Sequence, residues 1–332
     1  MAASLLPWNA PGWRSEVAAW LSSQVQAAGG QLVGEAGEPR IRPWSVVIPV
    51  PTSMGLMYFK VSAPALRHEA AVTQTLAELF PDVVPHVYAC QAHQGWLLME
   101  AGNRLLREAL ADQPDLRRWD SCLRRYGALQ VDLAGRANEL IDLGVPDRRL
   151  AALPGLLETM LEDPTLMPGD GEATLTAGER DWLRAFLPRM ATMVRELAAF
   201  YVPDSLDHGD FHDGNIFVRD EGYLFFDWGD CGVTHPFISM RTVLVSLENT
   251  LGLLEDSAPA RALAAAYLDT WRAQLGRPAL EEALELSLRL SPIVAAHRWQ
   301  LALQASSPED SQRFSAAVPS LLRELIERNQ SD

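Results

Sequence analysis

Runs of β-branched and aromatic residues alternate with turn-forming residues in the first hundred positions of the chain. Two such runs are Ser45–Val50 and Met57–Val61. The segment between them, Pro51–Gly55, contains the proline, serine and glycine that are typical of turns. The pattern therefore predicts an antiparallel β-hairpin over residues 45–61.

One helix and one further strand are predicted before residue 101. Pro64 suits the first turn of a helix, and apolar residues continue at helical spacing over about Ala65–Phe80. Trp96–Met99 is a short apolar run with the length of a strand. Residues 1–101 are therefore predicted to form a small antiparallel β-sheet with one helix.

Helical periodicity dominates the remainder of the chain, residues 102–332. From Leu105 to Phe200 apolar residues recur at intervals of three and four, with a loop predicted at about Asp163–Gly171. Helices are predicted again after Phe237. The fold class is thus α+β, with a larger and mainly α-helical second region and a boundary at about residue 101.

Composition narrows the classes of partner. Of the 332 residues, 48% are hydrophobic and 21% are charged, which is typical of globular enzymes, and the formal net charge is −15. Residues 100–240 hold 25 acidic and 14 basic side chains. This balance argues against nucleic acid or an anionic membrane as a partner, because both attract basic surfaces. It is compatible with a cationic substrate, although an acidic surface that is merely solvated would give the same count.

The cysteines and the lack of long apolar runs indicate in which cellular compartment the protein is found. Cys90, Cys122 and Cys231 are odd in number and widely spaced, so neither a disulfide framework nor a CxxC metal site is predicted. No stretch approaches about 18 consecutive apolar residues. The first residues also lack the basic segment of a signal peptide. The sequence predicts a reduced, cytoplasmic protein.

The choice of basic residues singles out one position. The chain contains 27 arginines and one lysine, Lys60, near the end of the second strand of the predicted hairpin. Arginine cannot replace lysine where a compact ammonium group meets phosphate oxygens. Glu69 shares the apolar stripe of the predicted helix, where a carboxylate is costly unless it is paired. An ion pair between the two is predicted; the alternative is a Glu69 side chain that reaches water.

One stretch in the second region carries the most informative pattern. Two short apolar runs, Ile216–Val218 and Tyr223–Phe226, are separated by a turn and predict a second hairpin. Asp210 and Asn215 precede its first strand, and Asp227 follows its second strand. Folding of the hairpin would bring three oxygen-bearing side chains towards one spot.

Phosphoryl transfer from ATP needs such a set of groups. Mg²⁺ takes hard oxygen ligands and keeps several waters, and a further carboxylate must accept the proton of the attacking hydroxyl group. Two other interpretations are open. Aspartates beside glycine often only form turns. The run His208-x-Asp210-x-His212-Asp213 is also rich in metal-ligand types, as in a metal hydrolase, which would need further histidines nearby.

The motifs around these residues carry a family resemblance. HGDFHDGN at residues 208–215 matches the pattern HxDxxxxN of the aminoglycoside phosphotransferase and choline kinase family, and FFDWGD at residues 225–230 resembles that family's magnesium-binding motif. The resemblance covers most of the chain. It implies a protein-kinase-like two-lobed fold that transfers the γ-phosphoryl group of ATP, with Mg²⁺, to a hydroxyl group of a small molecule.

The resemblance also implies roles for individual residues. Asp210 would be the catalytic base, and Asn215 and Asp227 would hold magnesium. Lys60 would contact the nucleotide phosphates and be fixed by Glu69. The other implied nucleotide-binding residues lie near the phosphate-covering segment or contact adenine through their backbone: Ser45, Met99, Glu100 and Ala101.

Three departures from kinase patterns bear on the substrate. No GxGxxG precedes Lys60, Gly209 replaces the arginine of the protein-kinase HRD triplet, and no APE follows Asp227. The last two departures favour a small substrate over a regulated protein kinase, and the first leaves the phosphate-covering segment undefined. An atypical protein kinase and a nucleotide-binding protein without catalysis are the alternatives. The acidic balance of residues 100–240 favours a cationic acceptor such as an aminoglycoside or a choline-like amine, with sugars, nucleosides and macrolides left open.

Overall fold

The computed structural model of the protein describes residues 6–163 and 174–330. Within these ranges the chain forms two compact units, and each is discontinuous in sequence. Unit 1 contains the described chain up to Leu105 together with residues 215–230 and 301–312. Unit 2 contains the described parts of residues 106–214, residues 231–300 and the described chain from Arg313 onwards.

The described chain contains β-rich stretches and helix-rich stretches, and the bounds of their strands and helices are as follows. The strands are β1 Arg40–Arg42, β2 Ser45–Thr52, β3 Gly55–Ser62, β4 Val87–Gln91, β5 Trp96–Glu100, β6 Arg104–Leu105, β7 Ser205–Asp207, β8 Ile216–Val218, β9 Tyr223–Phe225 and β10 Gly232–Thr234. The α-helices are α1 Trp13–Ala27, α2 His68–Leu79, α3 Leu106–Asp112, α4 Leu116–Leu133, α5 Ala137–Asp142, α6 Leu153–Glu162, α7 Ala177–Ala198, α8 Met240–Leu251, α9 Ala258–Leu268, α10 Arg277–Gln304, α11 Pro308–Arg313 and α12 Ala317–Asn329.

Unit 1 is built on a five-stranded antiparallel sheet with the order β1-β2-β3-β5-β4. The predicted hairpin is its β2–β3 pair, and the strands are longer than the apolar runs. The turn between them consists of Ser53 and Met54. Thr52 closes it, because its Oγ1 atom donates to Gly55 O at 2.7 Å and accepts from Met54 N–H at 3.1 Å. Gly55 has a φ of 109°, a conformation that favours glycine.

Alternation along the strands gives this sheet two different faces. Val46, Ile48 and Phe59 point to a core that also contains Trp13 and Leu21 of α1; its other members lie on β2, β3, β5 and α1. The opposite face packs through Leu97 and Met99 against Ala70 of α2. One helix therefore covers each face.

Helix α1 corrects the prediction that residues 1–101 contain one helix. Its buried positions are Trp13, Val17, Leu21 and Val25, which recur every four residues. The intervening residues are mainly alanine, serine and glutamine, and no side chain caps the start of the helix at Gly12. The four-residue spacing was the signal that could have revealed it.

The helix predicted at about residues 65–80 starts later than expected. Pro64–Leu66 form a 3₁₀ turn, and α2 begins only at His68. Proline at the start of the segment favours a turn of either type, so sequence alone did not separate the turn from the helix.

The second predicted hairpin, β8–β9, forms a three-stranded sheet with β6 in unit 1. Its turn closes with Arg219 N–H donating to Gly222 O at 3.1 Å, and Gly222 has a φ of 100°. Phe217 stacks on Phe226 with ring centroids 4.0 Å apart. The ring of Phe217 also fills the space beside Gly102, where a Cβ atom would lie 2.0 Å from it.

Unit 2 is mainly helical, and helices α4 and α9 and helices α6 and α7 are packed as pairs. Its two-stranded sheet is β7 with β10. Thr176 starts α7 with a capping box that includes Glu179. Most of the loop predicted at Asp163–Gly171 lies outside the described residues. The α+β class, with an antiparallel sheet first and helices after it, is confirmed. Among the described residues, no helix has the length and apolarity needed to span a membrane.

Candidate active site

Lys60 lies on β3, and two carboxylates hold its ammonium group. Its Nζ atom is 2.6 Å from Glu69 Oε1 and 2.5 Å from Asp227 Oδ1. Burial alone would lower the pKa of Lys60, but the charges of Asp227 and Glu69 raise it above its ordinary value. The side chain is therefore a fixed ammonium ion throughout the physiological pH range.

Glu69 lies in the first turn of α2 and is 3% exposed, so the alternative in which it reaches water does not occur. Ser62 Oγ donates to its Oε2 atom at 2.5 Å. Burial raises the pKa of Glu69, and the charge of Lys60 and the two hydrogen bonds offset part of that rise. A Cβ atom at position 229 would lie 3.1 Å from Glu69 Oε2, so Gly229 leaves the carboxylate its space.

The open end of the β8–β9 hairpin carries Asn215 and Asp227. Phe226 N–H donates to Asn215 O at 3.2 Å, one residue before Asp227. Asp227 has a φ of 69°, a left-handed conformation that costs a non-glycine residue about 1 kcal/mol or more. Its side chain is 46% exposed, although the adjacent Trp228 is fully buried. The backbone is thus held in an unfavourable conformation that presents a carboxylate.

The oxygen donors of Asn215 and Asp227 fit a magnesium ion. Mg²⁺ prefers carboxylate and amide oxygens together with water and phosphate oxygens. Oδ1 of Asp227 accepts a hydrogen bond from Lys60, and the carboxylate has a second oxygen and further lone pairs that could bind a metal ion. These are the two residues predicted as metal ligands.

The loop that carries Asp210 belongs to unit 2 and is anchored by Tyr126 of α4. His208 N–H donates to the Tyr126 hydroxyl at 2.9 Å, and the Tyr126 ring stacks on Phe211 with centroids 4.0 Å apart. His208 and Phe211 flank Asp210 in sequence. The loop is therefore fixed on both sides of the predicted base.

Gly209 departs from the protein-kinase triplet for a reason that lies in its backbone. Its φ is 79°, a value that favours glycine. Asp207 Oδ1 accepts its N–H at 3.0 Å and also accepts from Ser239 Oγ at 2.7 Å. Arginine at position 209 would have to adopt a strained conformation.

Asp210 faces a hydrogen-bond donor at each carboxylate oxygen. His212 Nδ1 accepts from Gly214 N–H at 2.9 Å, so its proton lies on Nε2, which is 3.3 Å from Asp210 Oδ2. Arg298 Nη1 is 3.9 Å from Asp210 Oδ1. Burial would raise the pKa of Asp210, but the hydrogen bond from His212 and the charge of Arg298 lower it below its ordinary value.

Asp213 is fully buried beside this loop and is paired with Arg107 of α3. Arg107 Nε donates to Asp213 Oδ1 at 2.9 Å, and Arg107 Nη2 lies 2.8 Å from the same oxygen. Arg107 Nη2 is also 3.3 Å from His212 Nδ1. This second donor agrees with a proton on Nε2 of His212.

Arg107, Arg298 and Tyr126 are neighbours of the loop that sequence reasoning missed. Each lies more than 80 positions from Asp210. No local spacing could have linked them to the motif.

Ser45 begins β2 and is opposite Ser62 in the register of β2 and β3. Ser45, Ser62 and Lys60 therefore share one face of the sheet. The β1–β2 connection is only the turn Pro43–Trp44, because Arg42 pairs directly with Ser45. The chain before Ser45 is thus a two-residue turn without glycine, and the role of Ser45 stays a prediction.

The backbone predicted to contact adenine is engaged within the chain. Glu100 N–H donates to His86 O at 2.9 Å, and Ala101 N–H donates to Leu56 O at 3.3 Å. Met99 is paired with Tyr58 in the sheet. A nucleobase that used the N–H groups of residues 100 and 101 would have to replace bonds that the chain already makes. The adenine contact stays a prediction.

The metal-hydrolase alternative rests on His208, Asp210, His212 and Asp213. In residues 6–163 and 174–330, no group of three His, Cys, Asp or Glu side chains is arranged to hold a metal ion. Ring nitrogens of His208 and His212 instead accept backbone N–H groups, from Asp210 at 3.3 Å and from Gly214 at 2.9 Å. These ring nitrogens therefore form hydrogen bonds within the loop.

Known structures resemble the whole described fold. An ethanolamine kinase from Plasmodium vivax is 14% identical with a TM-score of 0.60, and covers 90% of this chain and 83% of its own. A choline/ethanolamine kinase family protein from Mesorhizobium loti is 17% identical with a TM-score of 0.57, over 96% of each chain. A GDP and kanamycin complex of APH(2")-IIia is 16% identical with a TM-score of 0.56, over 93% of this chain and 99% of its own.

Sequence comparison identifies the family. No curated protein sequence matches the chain. The model of the phosphotransferase enzyme family (APH) matches residues 56–276, two thirds of the 332 positions, and this range includes Lys60, Glu69, Asp210, Asn215 and Asp227. The resemblance found in the motifs, the kinase-like fold and the prediction of a small-molecule phosphotransferase are thereby confirmed. The chain belongs to the phosphotransferase enzyme family.

Proposed function

We propose that the protein transfers the γ-phosphoryl group of ATP, bound with Mg²⁺, to a hydroxyl group of a small molecule. The observation that supports this proposal most directly is the ammonium group of Lys60, held between Glu69 and Asp227. A buried lysine fixed in this way presents a permanent positive charge to anionic ligands. Nucleotide phosphates are the anions that the family membership implies.

The residues of unit 1 would bind the nucleotide. Lys60 would donate to phosphate oxygens while Glu69 keeps it in place. Asn215 and Asp227 would hold Mg²⁺, which neutralises charge on the phosphate oxygens during transfer. Ser45 and the backbone at Met99–Ala101 are proposed as further nucleotide contacts. The use of a nucleotide is also supported by the GDP present in the similar APH(2")-IIia complex.

Asp210 would act as the catalytic base. Its lowered pKa keeps the carboxylate ionised at neutral pH, the state that can accept a hydrogen bond from an acceptor hydroxyl group. As the oxygen of that group attacks phosphorus, its proton passes to Asp210. Most of the rate enhancement in such a reaction comes from positioning and charge neutralisation.

The acceptor is proposed to be a small molecule that carries a hydroxyl group. The acidic balance of residues 100–240 predicts a cation, and ethanolamine and kanamycin, named for two of the similar structures, are amines. The local charges around Asp210 oppose that prediction. We also propose a cytoplasmic location, where ATP and Mg²⁺ are available, and no nucleic acid or membrane partner.

A thermal-shift titration with ATP and Mg²⁺, added separately and together, is the first test. A shift of several degrees that needs both components is expected, because the metal joins the phosphates to Asn215 and Asp227. Asp227→Ala should lose the part of the shift that depends on Mg²⁺. No shift at millimolar nucleotide would contradict the proposal.

Replacement of Asp210 tests the chemical step. Asp210→Asn should lower kcat on the order of 100-fold or more and leave the ATP·Mg²⁺ shift within about one degree of the wild-type value, since the carboxylate acts on the acceptor. ADP release with an acceptor measures kcat. Turnover near the wild-type rate would show that another group is the base.

A further inference from the structure

We propose that the acceptor carries an anionic group, a carboxylate or a phosphate, close to its reacting hydroxyl group, and that Arg298 binds this anion. The inference rests on the proposed function, because it places the acceptor at Asp210. The charge proposed for the acceptor is negative, whereas the net charge of the chain predicts a cationic acceptor.

The first observation is the position of Arg298 relative to the base. Its Nη1 atom is 3.9 Å from Asp210 Oδ1, while His212 Nε2 is 3.3 Å from Oδ2. The side chain of Arg298 is 12% exposed. An acceptor hydroxyl group must come within about 2.6–3.2 Å of Asp210 to deliver its proton. Substituents two or three bonds from that hydroxyl group would therefore lie beside the guanidinium group.

The second observation is a narrow crevice in unit 2 next to Gly209. Three arginines line it, Arg148, Arg241 and Arg298, against one acidic residue, Asp207. Arginine is the side chain best suited to planar, bidentate recognition of carboxylate and phosphate. A site for an ammonium group would instead need carboxylates or an aromatic cage.

The acidic groups beside the crevice already have donors. Asp207 accepts from Gly209 N–H and from the hydroxyl group of Ser239. Glu324 accepts from Arg241 at 3.0 Å and from Arg328 at 2.9 Å. An incoming cation would have to compete with these donors for each carboxylate.

Arg148 adds positive charge to the same crevice. It is 1% exposed, and it donates from Nε to His297 Nδ1 at 3.1 Å and from Nη1 to Cys231 O at 3.2 Å, both neutral acceptors. The pKa of His297 is lowered to about 4 by burial and by the charge of Arg148, so this imidazole contributes no charge at neutral pH. Arg148 therefore contributes a buried guanidinium group to the lining.

The pKa of Asp210 indicates the sign of the electrostatic potential around its carboxylate. A carboxylate that loses much of its contact with water has a raised pKa unless positive groups surround it. The pKa of Asp210 is lowered by the hydrogen bond from His212 and by the charge of Arg298, which is the cation beside it. A cation on the acceptor would be repelled at this position, and an anion attracted. The net charge of −15 belongs to the whole chain and does not set the sign at this spot.

A screen of acceptors sorted by charge tests the inference. Three sets of hydroxyl compounds would be compared by ADP release with ATP and Mg²⁺: amino alcohols and aminoglycosides, neutral sugars and nucleosides, and hydroxy acids and sugar phosphates. The best acceptors are expected in the third set, with kcat/KM on the order of 10- to 100-fold above those of the other sets. Preferred acceptors from the cationic or neutral set would overturn the inference.

If none of these compounds is phosphorylated, the inference is tested through the slow hydrolysis of ATP, in which water is the acceptor. Hydroxy acids or sugar phosphates that occupy the acceptor site should suppress ADP release to water, and amino alcohols should not. The reverse order, or no suppression by any anion, would overturn the inference. A protein with neither nucleotide binding nor hydrolysis would refute the proposed function, and the inference with it.

Variants of Arg298 separate its possible tasks. Arg298→Gln should raise KM for the anionic acceptor on the order of 10- to 100-fold and leave KM for ATP within about twofold. Arg298→Lys should fall between this variant and the wild type. Arg289→Gln is the matched control, because it removes the same charge from α10 nine residues earlier, where Arg289 Nε donates to Asn329 Oδ1 at 3.0 Å. Its KM values should stay near wild type.

Two outcomes would assign Arg298 another role and overturn the proposal. A rise in KM for ATP would mean that it binds the transferred phosphate. A fall in kcat with a shifted pH profile, at unchanged acceptor KM, would mean that it only positions Asp210.

Discussion

At the scale of single residues, Lys60 forms a buried ion pair with Glu69 and a second contact with Asp227. Removing one partner of a buried ion pair leaves the other charge uncompensated and destabilises a protein by about 3–5 kcal/mol. Replacing both partners by neutral groups is tolerated better, because no buried charge remains. Stability and nucleotide binding should therefore respond differently to changes here.

We expect Lys60→Met to lower the free energy of unfolding by about 3 kcal/mol, and the double variant with Glu69→Gln to regain more than half of that loss. Neither variant should be stabilised by ATP·Mg²⁺, since both lack the ammonium group. Urea titration followed by tryptophan fluorescence gives the free energies. Equal losses in the single and double variants would show that stability does not depend on the pairing.

The pH dependence of activity should follow the hydrogen bond between His212 and Asp210. This bond lowers the pKa of Asp210 against the effect of burial. A base is active when ionised, so the lowered pKa keeps it active at lower pH. Without the donor the pKa rises, and the acid limb of the profile moves to higher pH.

We expect the acid limb of kcat/KM to move up by about one pH unit in His212→Ala. His212→Gln keeps an N–H donor and should lie between this variant and the wild type. Initial rates from pH 2.5 to 6.5 measure the effect, because the lowered pKa of Asp210 places the acid limb below the ordinary range of an aspartate. A profile that does not move in His212→Ala would mean that this hydrogen bond does not control the ionisation of Asp210.

At the scale of elements, helix α1 shows what one helix contributes to unit 1. Its apolar residues cover the face of the sheet opposite α2. Leu21 is 2% exposed, whereas Ser22 on the same helix is exposed. The two adjacent positions form a matched pair for mutation.

Leu21→Ala should lower the free energy of unfolding by about 2–4 kcal/mol, because it leaves a cavity between helix and sheet. Ser22→Ala should change it by less than about 0.5 kcal/mol. Urea unfolding of both variants at pH 7 provides the comparison. Similar losses for the two variants would place α1 outside the cooperative core of unit 1.

Elements whose pattern is local were the ones that sequence could predict. The β2–β3 and β8–β9 hairpins have strong strand formers on both sides of a turn, and both form. Helix α1 was missed because its regular spacing of four is diluted by small and polar residues. The start of α2 was misplaced because proline favours a 3₁₀ turn and an α-helix alike.

At the scale of the whole molecule, a buried histidine should set part of the response to acid. Burial lowers the pKa of His235 to about 3 from an ordinary value of 6.5. Below pH 6.5 the unfolded chain binds a proton that the folded protein excludes. Stability is therefore fully present above pH 6.5 and is lost as the pH falls towards 3, by about 1.4 kcal/mol per unit.

His235→Asn should remove this part of the slope. Asparagine keeps an acceptor where His235 Nδ1 accepts from Phe237 N–H, 3.4 Å away, and has no proton to bind in this range. Free energies of unfolding at pH 7.0, 6.0 and 5.0 give the slope, which does not depend on any constant loss from the smaller side chain. An unchanged slope would mean that other groups dominate the acid response.

The predicted site residues show how far local sequence reaches. Lys60 and Glu69 are nine positions apart and were paired correctly, since strand and helix are neighbours in the chain. The contact of Lys60 with Asp227 spans 167 positions and required knowledge of the fold. The same holds for Arg298, whose relation to Asp210 depends on where a late helix packs. For this reason the charge that we propose for the acceptor differs from the charge that composition predicts.

Lys60 is the one lysine in the 332 residues, and it is 5% exposed. An amine-directed reagent that is delivered by a nucleotide, such as an acyl phosphate of ADP, would therefore have a single side-chain amine to acylate. Mass spectrometry of the labelled protein would need no enrichment to locate the site. The same scarcity leaves the described surface without a lysine for acetylation or ubiquitin attachment, and turnover through such tags would require at least local unfolding around β3.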